Sequence, residues 1–288
     1  MFEFWYRNPV SWRMYVVTLR HNKKGTHMNA PKEFIDLVYS AENQQNYIGM
    51  GNPNARILII GREPAHDLNT EIGCDAFHHD QELNRSNWRN LFENKQVEGR
   101  CNPRRPFPNQ KCLRADGYND GTATTWVWYQ KLVDLILGRE YDRPYSLRPL
   151  DFHDFCFHTD ISAAAAKNLA TTNKNEKIVS VEDRSREMFS HPFFKQFPIV
   201  ILGIGKDVGQ YVPLEWCDKV LGFPTSEIEK AYNSDEKEPM LWINRDTKGH
   251  RILLHTQCLS QPSWEYITKI RDIIWADGKS DFSWPKSY

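Results

Sequence analysis

Apolar positions along the chain fall into short runs of two kinds. Between Pro31 and Asn46, PKEFIDLVYSAENQQN sets Phe34, Ile35, Leu37 and Val38 at a spacing that predicts a short amphipathic helix. The turn residues Gly51–Asn54 then precede Ile57, Leu58, Ile59 and Ile60, an unbroken apolar run ending at Gly61. A run without alternation predicts a strand covered on both faces, as in a parallel sheet, and entering a loop. Further strands are predicted at Phe152–Phe157, Ile199–Gly203 and Arg251–Leu254. Helical spacing returns from Thr125 to Leu137, with Gly138 as the expected C-cap, and again from Trp264 to Trp275. Residues 79–121 are polar, carry Pro103, Pro106 and Pro108, and read as an insertion or long surface loop.

Short apolar strands separated by helices predict βαβ units, an α/β fold with a parallel sheet. On such sheets, functional residues gather in the loops at the carboxyl ends of the strands. The 288 residues allow one large domain or two small ones, and no internal repeat is visible. The reading adopted is an N-terminal extension over 1–28 followed by a single domain over 29–288. The extension mixes aromatic and charged residues, and Met28 offers a second start.

Composition narrows the function classes. A hydrophobic content of 40% suffices for a core, and no apolar run is long enough to cross a bilayer. The expectation is a cytoplasmic monomer with no membrane partner. The formal net charge is zero, so any contact with DNA must be local rather than driven by overall charge. One basic stretch, Gly99–Arg114, carries Arg100, Arg104, Arg105, Lys111 and Arg114 without an acid. Cations interleaved with Pro and Phe suit a groove that tracks a phosphate backbone, and equally a solvated loop. Arg104 and Arg105 are taken as the candidate DNA contacts. Six cysteines show no CxxC spacing and no Cys/His cluster, which reads as reduced thiols with no metal site.

Three predicted strands end in polar motifs. GREPAHD (Gly61–Asp67) follows the first, HTDIS (His158–Ser162) the second, and HTQCLS (His255–Ser260) the last. Strand ends that deliver His, Glu and Asp to one rim make an acid/base site. The Gly203-Ile204-Gly205 fragment is too short to count as a dinucleotide fingerprint.

NPNARILIIGREPAH resembles the first motif of the uracil-DNA glycosylase superfamily, with Gly61, Pro64 and His66 matching and Arg62, Glu63 and Ala65 departing. HTQCLS resembles the second motif, matching at His255, Leu259 and Ser260 and departing at Thr256, Gln257 and Cys258. FCFHTDIS falls where that family has the strand ending in a base-reading Asn; His158 stands at that position and Thr159 matches. The likeness spans roughly residues 45–275 in order.

The resemblance implies a three-layer α/β/α domain with a central, mostly parallel four-stranded sheet. It also implies cleavage of the bond between a flipped base, uracil or another deaminated base, and its deoxyribose, with DNA as partner and no cofactor. In that reading Glu63 orients water or stabilises an oxocarbenium-like sugar, and His255 donates to the departing base. Gly61, Arg62, Pro64, His66, His158 and Thr159 surround the base, and Phe77 stacks on it. Leu259 fills the space the base leaves, and Ser260 lies beside the DNA. Each role has a structural alternative. Glu63 suits the first turn of a helix, His255 and His158 suit hydrogen-bonded loop positions, and Leu259 and Phe77 suit a core. His158 also departs chemically from Asn, since a neutral ring has one donor and one acceptor on opposite sides. The same motifs fit a nucleic-acid or nucleotide-binding module that does not cleave.

Overall fold

A seven-stranded mixed sheet organises the computed structural model, which describes residues 7–8, 11–12, 29–106, 112, 124–140, 145–167, 173–207, 211–213, 215–224, 229–230, 241–260 and 262–279. Most of the 1–28 extension, together with Lys111 and Arg114 of the basic stretch, lies outside those residues.

The strands are β1 (Met50–Gly51), β2 (Ile57–Gly61), β3 (Cys156–Asp160), β4 (Ile199–Leu202), β5 (Glu229–Lys230), β6 (Leu241–Arg245) and β7 (Ile252–Thr256). Their spatial order is β1-β3-β2-β4-β7-β6-β5. β3, β2, β4 and β7 run parallel to one another, while β1, β6 and β5 add antiparallel at the two sides. The sheet is therefore mixed, and wider than the four strands expected. The added strands escape the sequence pattern because two of them are only two residues long.

The unbroken apolar runs are explained by burial on both faces. Leu58, Ile60, Val200, Leu202 and Leu253 face one core, and Ile57, Ile59, Ile201, Ile252 and Leu254 face a second. The first core is closed by α1 (Lys32–Tyr39), α3 (Asn84–Phe92), α5 (Lys174–Arg184) and the short α6 (Trp216–Lys219), through residues such as Phe34, Trp88, Val181 and Trp216, while α2 (Glu71–Phe77) buries none of its residues. The second is closed by α4 (Thr124–Ile136) and α7 (Trp264–Ala276), through Leu132, Val133, Ile267 and Ile270. The helix ends follow local chemistry. Ser263 Oγ accepts from Tyr266 N at 3.1 Å to cap α7, and Gly138, at φ +62°, lets the chain leave α4 in the left-handed region. Among the described residues no helix is long and apolar enough to cross a membrane.

Two expectations from the pattern shift. The strand expected at Phe152–Phe157 begins four residues later. Gln130 Oε1 accepts from the amides of Asp151 and Phe152 at 2.7 and 2.8 Å, so those donors are lost to a ladder and the segment turns. The polar stretch from residue 79 is not wholly loop. A wide helical turn, His78–Glu82, leads into α3, whose buried face mixes Asn84 and Asn87 with Trp88. Asn84 Oδ1 accepts from Ile48 and Gly49 amides at 3.0 and 3.3 Å, and Trp88 Nε1 donates to Gly49 O at 2.9 Å. Side chains that satisfy a buried backbone interrupt the apolar stripe by which α3 would have been recognised.

Phe157 packs edge-on against Phe34 and Phe193, at centroid distances of 5.4 and 5.1 Å. Replacing Phe157 by Ala is expected to cost about 3–5 kcal/mol by transfer loss and cavity formation. A lowered urea midpoint at unchanged slope would register this, and a loss below about 1 kcal/mol would contradict the packing described.

Candidate functional site

The parallel register brings the motif residues level. Thr159, Ile60, Leu202 and His255 form one row across β3, β2, β4 and β7, and Asp160 pairs with Gly61 in the next. Beyond the sheet the first two loops stay zipped. Ile161 N donates to Gly61 O at 2.9 Å, Ser162 N to Arg62 O at 3.1 Å, and Ala166 N to Pro64 O at 3.1 Å. The segment after β2 is thereby held in an extended path that turns Glu63 and Arg62 towards the loop after β4.

There they join a buried ionic cluster. Lys177 Nζ, from α5, lies 2.6 Å from Glu63 Oε2 and 2.5 Å from Asp207 Oδ2. Arg62 meets Asp207 with two bonds, Nε at 3.0 Å and Nη2 at 2.6 Å. The side chains of Lys177, Asp207 and Glu63 are 0%, 3% and 5% exposed. Two cations and two anions balance, which is what burial at this depth demands. The Lys177 ammonium also sits 4.6 Å from the Tyr211 ring centroid.

His255 reaches the same loop. Its Nε2 is 2.9 Å from the Gly205 carbonyl, and its ring stands edge-on to Trp242. A carbonyl only accepts, so Nε2 carries the hydrogen. Burial lowers the His255 pKa to about 4, against the opposing pull of the Gly205 carbonyl and of Asp207. The imidazole is therefore neutral at pH 7.

A second polar group lies under Gly61. A Cβ at that position would stand 2.6 Å from Asp160 Oδ1, and 3.3 Å from both His158 Nε2 and Tyr129 Oη, so the close approach needs glycine. His158 Nε2 is 3.4 Å from Asp160 Oδ1. Behind Asp160, the buried Arg184 donates to Asp160 O at 3.1 Å, Tyr47 O at 2.7 Å and Thr159 Oγ1 at 2.9 Å. Burial pulls the Arg184 pKa down to about 10, which still leaves it charged at neutral pH.

The remaining candidates are more scattered. His66 Nε2 is 3.9 Å from Asp80 Oδ2 and its ring is edge-on to Phe77, which is half-buried. Pro64 is buried, and Ser260 Oγ lies 3.6 Å from Cys258 Sγ. Leu259 sits in the second core, its Cγ 3.5 Å from where a Gly203 Cβ would stand, so it occupies a packing position rather than a solvent-facing one. Arg104 and Arg105 both clasp Asp154, Arg104 at 3.0 Å and Arg105 at 2.8 and 2.9 Å. Asp154 precedes β3, which puts both arginines at the amino end of that strand and away from Glu63. Among the described residues, Arg104 and Arg105 of the basic stretch are not brought together with the strand-end motifs.

Sequence reasoning missed Lys177, Asp207, Tyr129 and Arg184. Asp207 had a usable signal, since it follows the carboxyl end of β4 in Gly-Ile-Gly-Lys-Asp. Lys177 had none, for Lys174 and Lys177 look alike in the polar helix KNEKIVSVEDR. Among the described residues, no three His, Cys, Asp or Glu side chains gather as metal ligands would. No protein-family model matches the chain, and no curated protein matches it in sequence.

Two predictions follow the electrostatics. Lys177→Met removes the ammonium that lies between Glu63 and Asp207, and is expected to cost about 3–5 kcal/mol by equilibrium unfolding; a neutral effect would mean the cluster is solvated. For His255, the unfolded chain takes up a proton near its ordinary value of 6.5 while the folded chain resists until about 4. Stability is then lost as pH falls from 6.5 to 4, by about 3 kcal/mol from this group. Comparing wild type with His255→Gln across that window isolates the contribution, and parallel curves would refute the depressed pKa.

Proposed function

We propose that this chain hydrolyses the N-glycosidic bond of a base extruded from DNA, on a three-layer α/β/α fold of the uracil-DNA glycosylase type. One observation carries the reading. The Glu63 and His255 loops, 192 positions apart in sequence, meet at the loop after β4, Glu63 through Lys177 and Asp207, and His255 through Gly205. A carboxylate and a neutral imidazole then lie on one rim at the carboxyl ends of parallel strands. That is the chemistry that cleavage through an oxocarbenium-like sugar requires.

The roles follow from the charges. Glu63 supplies negative potential to the sugar as its bond to the base breaks, in a low-dielectric surround where fixed charge acts strongly. Lys177 holds Glu63 in place beforehand. His255, uncharged, turns its Nε2 hydrogen from Gly205 O to the departing base, whose heteroatom gains the bonding electrons. A water adds to the sugar carbon, and its proton leaves to solvent. Neutral imidazole as the donor matches the depressed His255 pKa.

A second reading has an observation in its favour. Glu63 Oε2 is engaged by Lys177, and His255 Nε2 by Gly205, so both groups are tied within the protein. On that account the chain binds a nucleic acid or nucleotide without cleaving it.

Base release from labelled single- and double-stranded oligonucleotides, with alkali revealing abasic sites, separates the two. Cleavage of one substrate is expected, falling about a hundredfold or more in Glu63→Gln and in His255→Ala. Oligonucleotide binding that survives both substitutions, with no base released by folded protein across uracil, hypoxanthine, xanthine, mismatched thymine and the four normal bases, would replace hydrolysis with the binding reading.

A further inference from the structure

We propose that Cys101, paired with His79, is the thiol at which this chain is covalently modified, by exchange with a low-molecular-weight disulfide. This goes beyond the hydrolytic reading and stands whether or not a base is released.

Two separate turns bring the pair together. Cys101 Sγ lies 3.3 Å from His79 Nδ1, across 22 positions of sequence. Cys101 is half-buried and His79 exposed, so small molecules reach both. Each turn is anchored. The turn Gly99–Cys101 closes through Asn102 N, which donates to Gly99 O at 3.1 Å, and Asn102 Oδ1 accepts from the amides of Arg104 and Arg105 at 3.0 and 3.3 Å. Pro103 O, two residues past Cys101, accepts from Gly51 N at 2.7 Å and ties the segment to β1. His79 belongs to the wide turn His78–Glu82, where Leu83 N donates to His78 O at 3.0 Å and Gln81 is buried. The thiol and the imidazole therefore meet as parts of fixed backbone.

The other five cysteines lack this combination. Burial pushes up the thiols of Cys112, Cys156 and Cys217, those of Cys112 and Cys217 to about 12, which keeps all three protonated at neutral pH. Cys74 is exposed, but its Sγ donates to Leu68 O at 3.2 Å, and a carbonyl takes no proton from it. Cys258 Sγ stands 3.6 Å from Ser260 Oγ, a hydroxyl rather than a base. Among the described residues, only Cys101 combines access with a base in contact.

The thiolate is the nucleophile in disulfide exchange, and an ordinary thiol is only about 3% thiolate at pH 7. A base beside the sulfur has that deficit to make up. With its ring hydrogen on Nε2, His79 accepts the thiol proton at Nδ1 as Cys101 Sγ attacks one sulfur of a disulfide RSSR. A Cys101–sulfur bond forms, the disulfide bond breaks, and the departing thiolate takes the proton from the imidazolium to leave as RSH. Cys101 and RSSR thus give the mixed disulfide and one thiol, with no other oxidant, and excess thiol reverses the step. The turn that carries His79 also carries Asp80, whose Oδ2 is 3.9 Å from His66 Nε2. The adduct would form beside the turn that meets the first strand-end motif.

Glutathione disulfide is the probe. The full chain would be incubated with it from pH about 6 to about 9, spanning the ordinary imidazole and thiol values, and the adduct at each cysteine followed over time by peptide mass spectrometry. Cys101 is expected to react about fivefold or more faster than the more exposed Cys74 at neutral pH, a gain limited by the thiolate deficit and by the lower nucleophilicity of a more acidic thiol. His79→Gln is expected to bring Cys101 down to the rate of Cys74, and to give it the same steep rise with pH. Protection of Cys112 and Cys156 reports in the same spectra that the variant is folded. Cys74 reacting as fast as Cys101 in the wild type would overturn the proposal. So would an unchanged Cys101 rate in folded His79→Gln. If labelling of Cys112 and Cys156 shows that variant unfolded, the wild-type comparison of Cys101 with Cys74 decides alone.

Discussion

The ammonium of Lys177, buried between two carboxylates, is the interaction on which the rim of the sheet depends. It comes from α5, while Glu63 follows β2 and Asp207 follows β4, so one side chain joins three parts of the chain far apart in sequence. Seven residues on, two helical turns, Arg184 projects from the same buried face of α5 to hold the backbone of β3 and of residue 47. Val181 lies between the two cations and completes that face. A single helix thus presses two positive charges and one apolar side chain against the ends of the strands. The geometry is demanding because ions taken out of water are stabilised only when each is fully matched. The two-bond contact from Arg62 to Asp207 completes the match.

This arrangement explains what was legible in the sequence. Strands β2, β4 and β7 were visible because burial on both faces leaves an unbroken apolar run, and α4 and α7 because each shows one apolar stripe. Gly61–Pro64 and His255–Ser260 were visible because a strand end followed by polar residues is a positional signal. Lys177 and Arg184 were not, because a charge buried by its partners has the same letter as a charge in solvent. α3 was hidden for a related reason: Asn84 and Trp88 do their work through hydrogen bonds to the backbone of residues 48 and 49. The boundary of β3 was displaced by Gln130, a side chain twenty-one positions before Asp151.

Charge in the basic stretch has a different meaning from charge at the rim. Arg104 and Arg105 read as free cations only while the sequence is taken one segment at a time. Folding supplies Asp154 to both, and Arg104 also reaches the carbonyl of His153. A run without acids is therefore not a surface without acids, and local composition overstates the positive potential such a run displays.

The sheet ends at both sides in strands of two residues, Met50–Gly51 and Glu229–Lys230. A long open edge exposes a row of amides and carbonyls on which another chain can add, the usual start of edge-to-edge aggregation. Here, among the described residues, each outer strand offers only a residue or two of open ladder. On the first side part of that is already used, since the Gly51 amide donates to Pro103 O at 2.7 Å. Among the described residues, a sheet of seven strands thus ends in short margins, one of them partly occupied, that offer little to further growth.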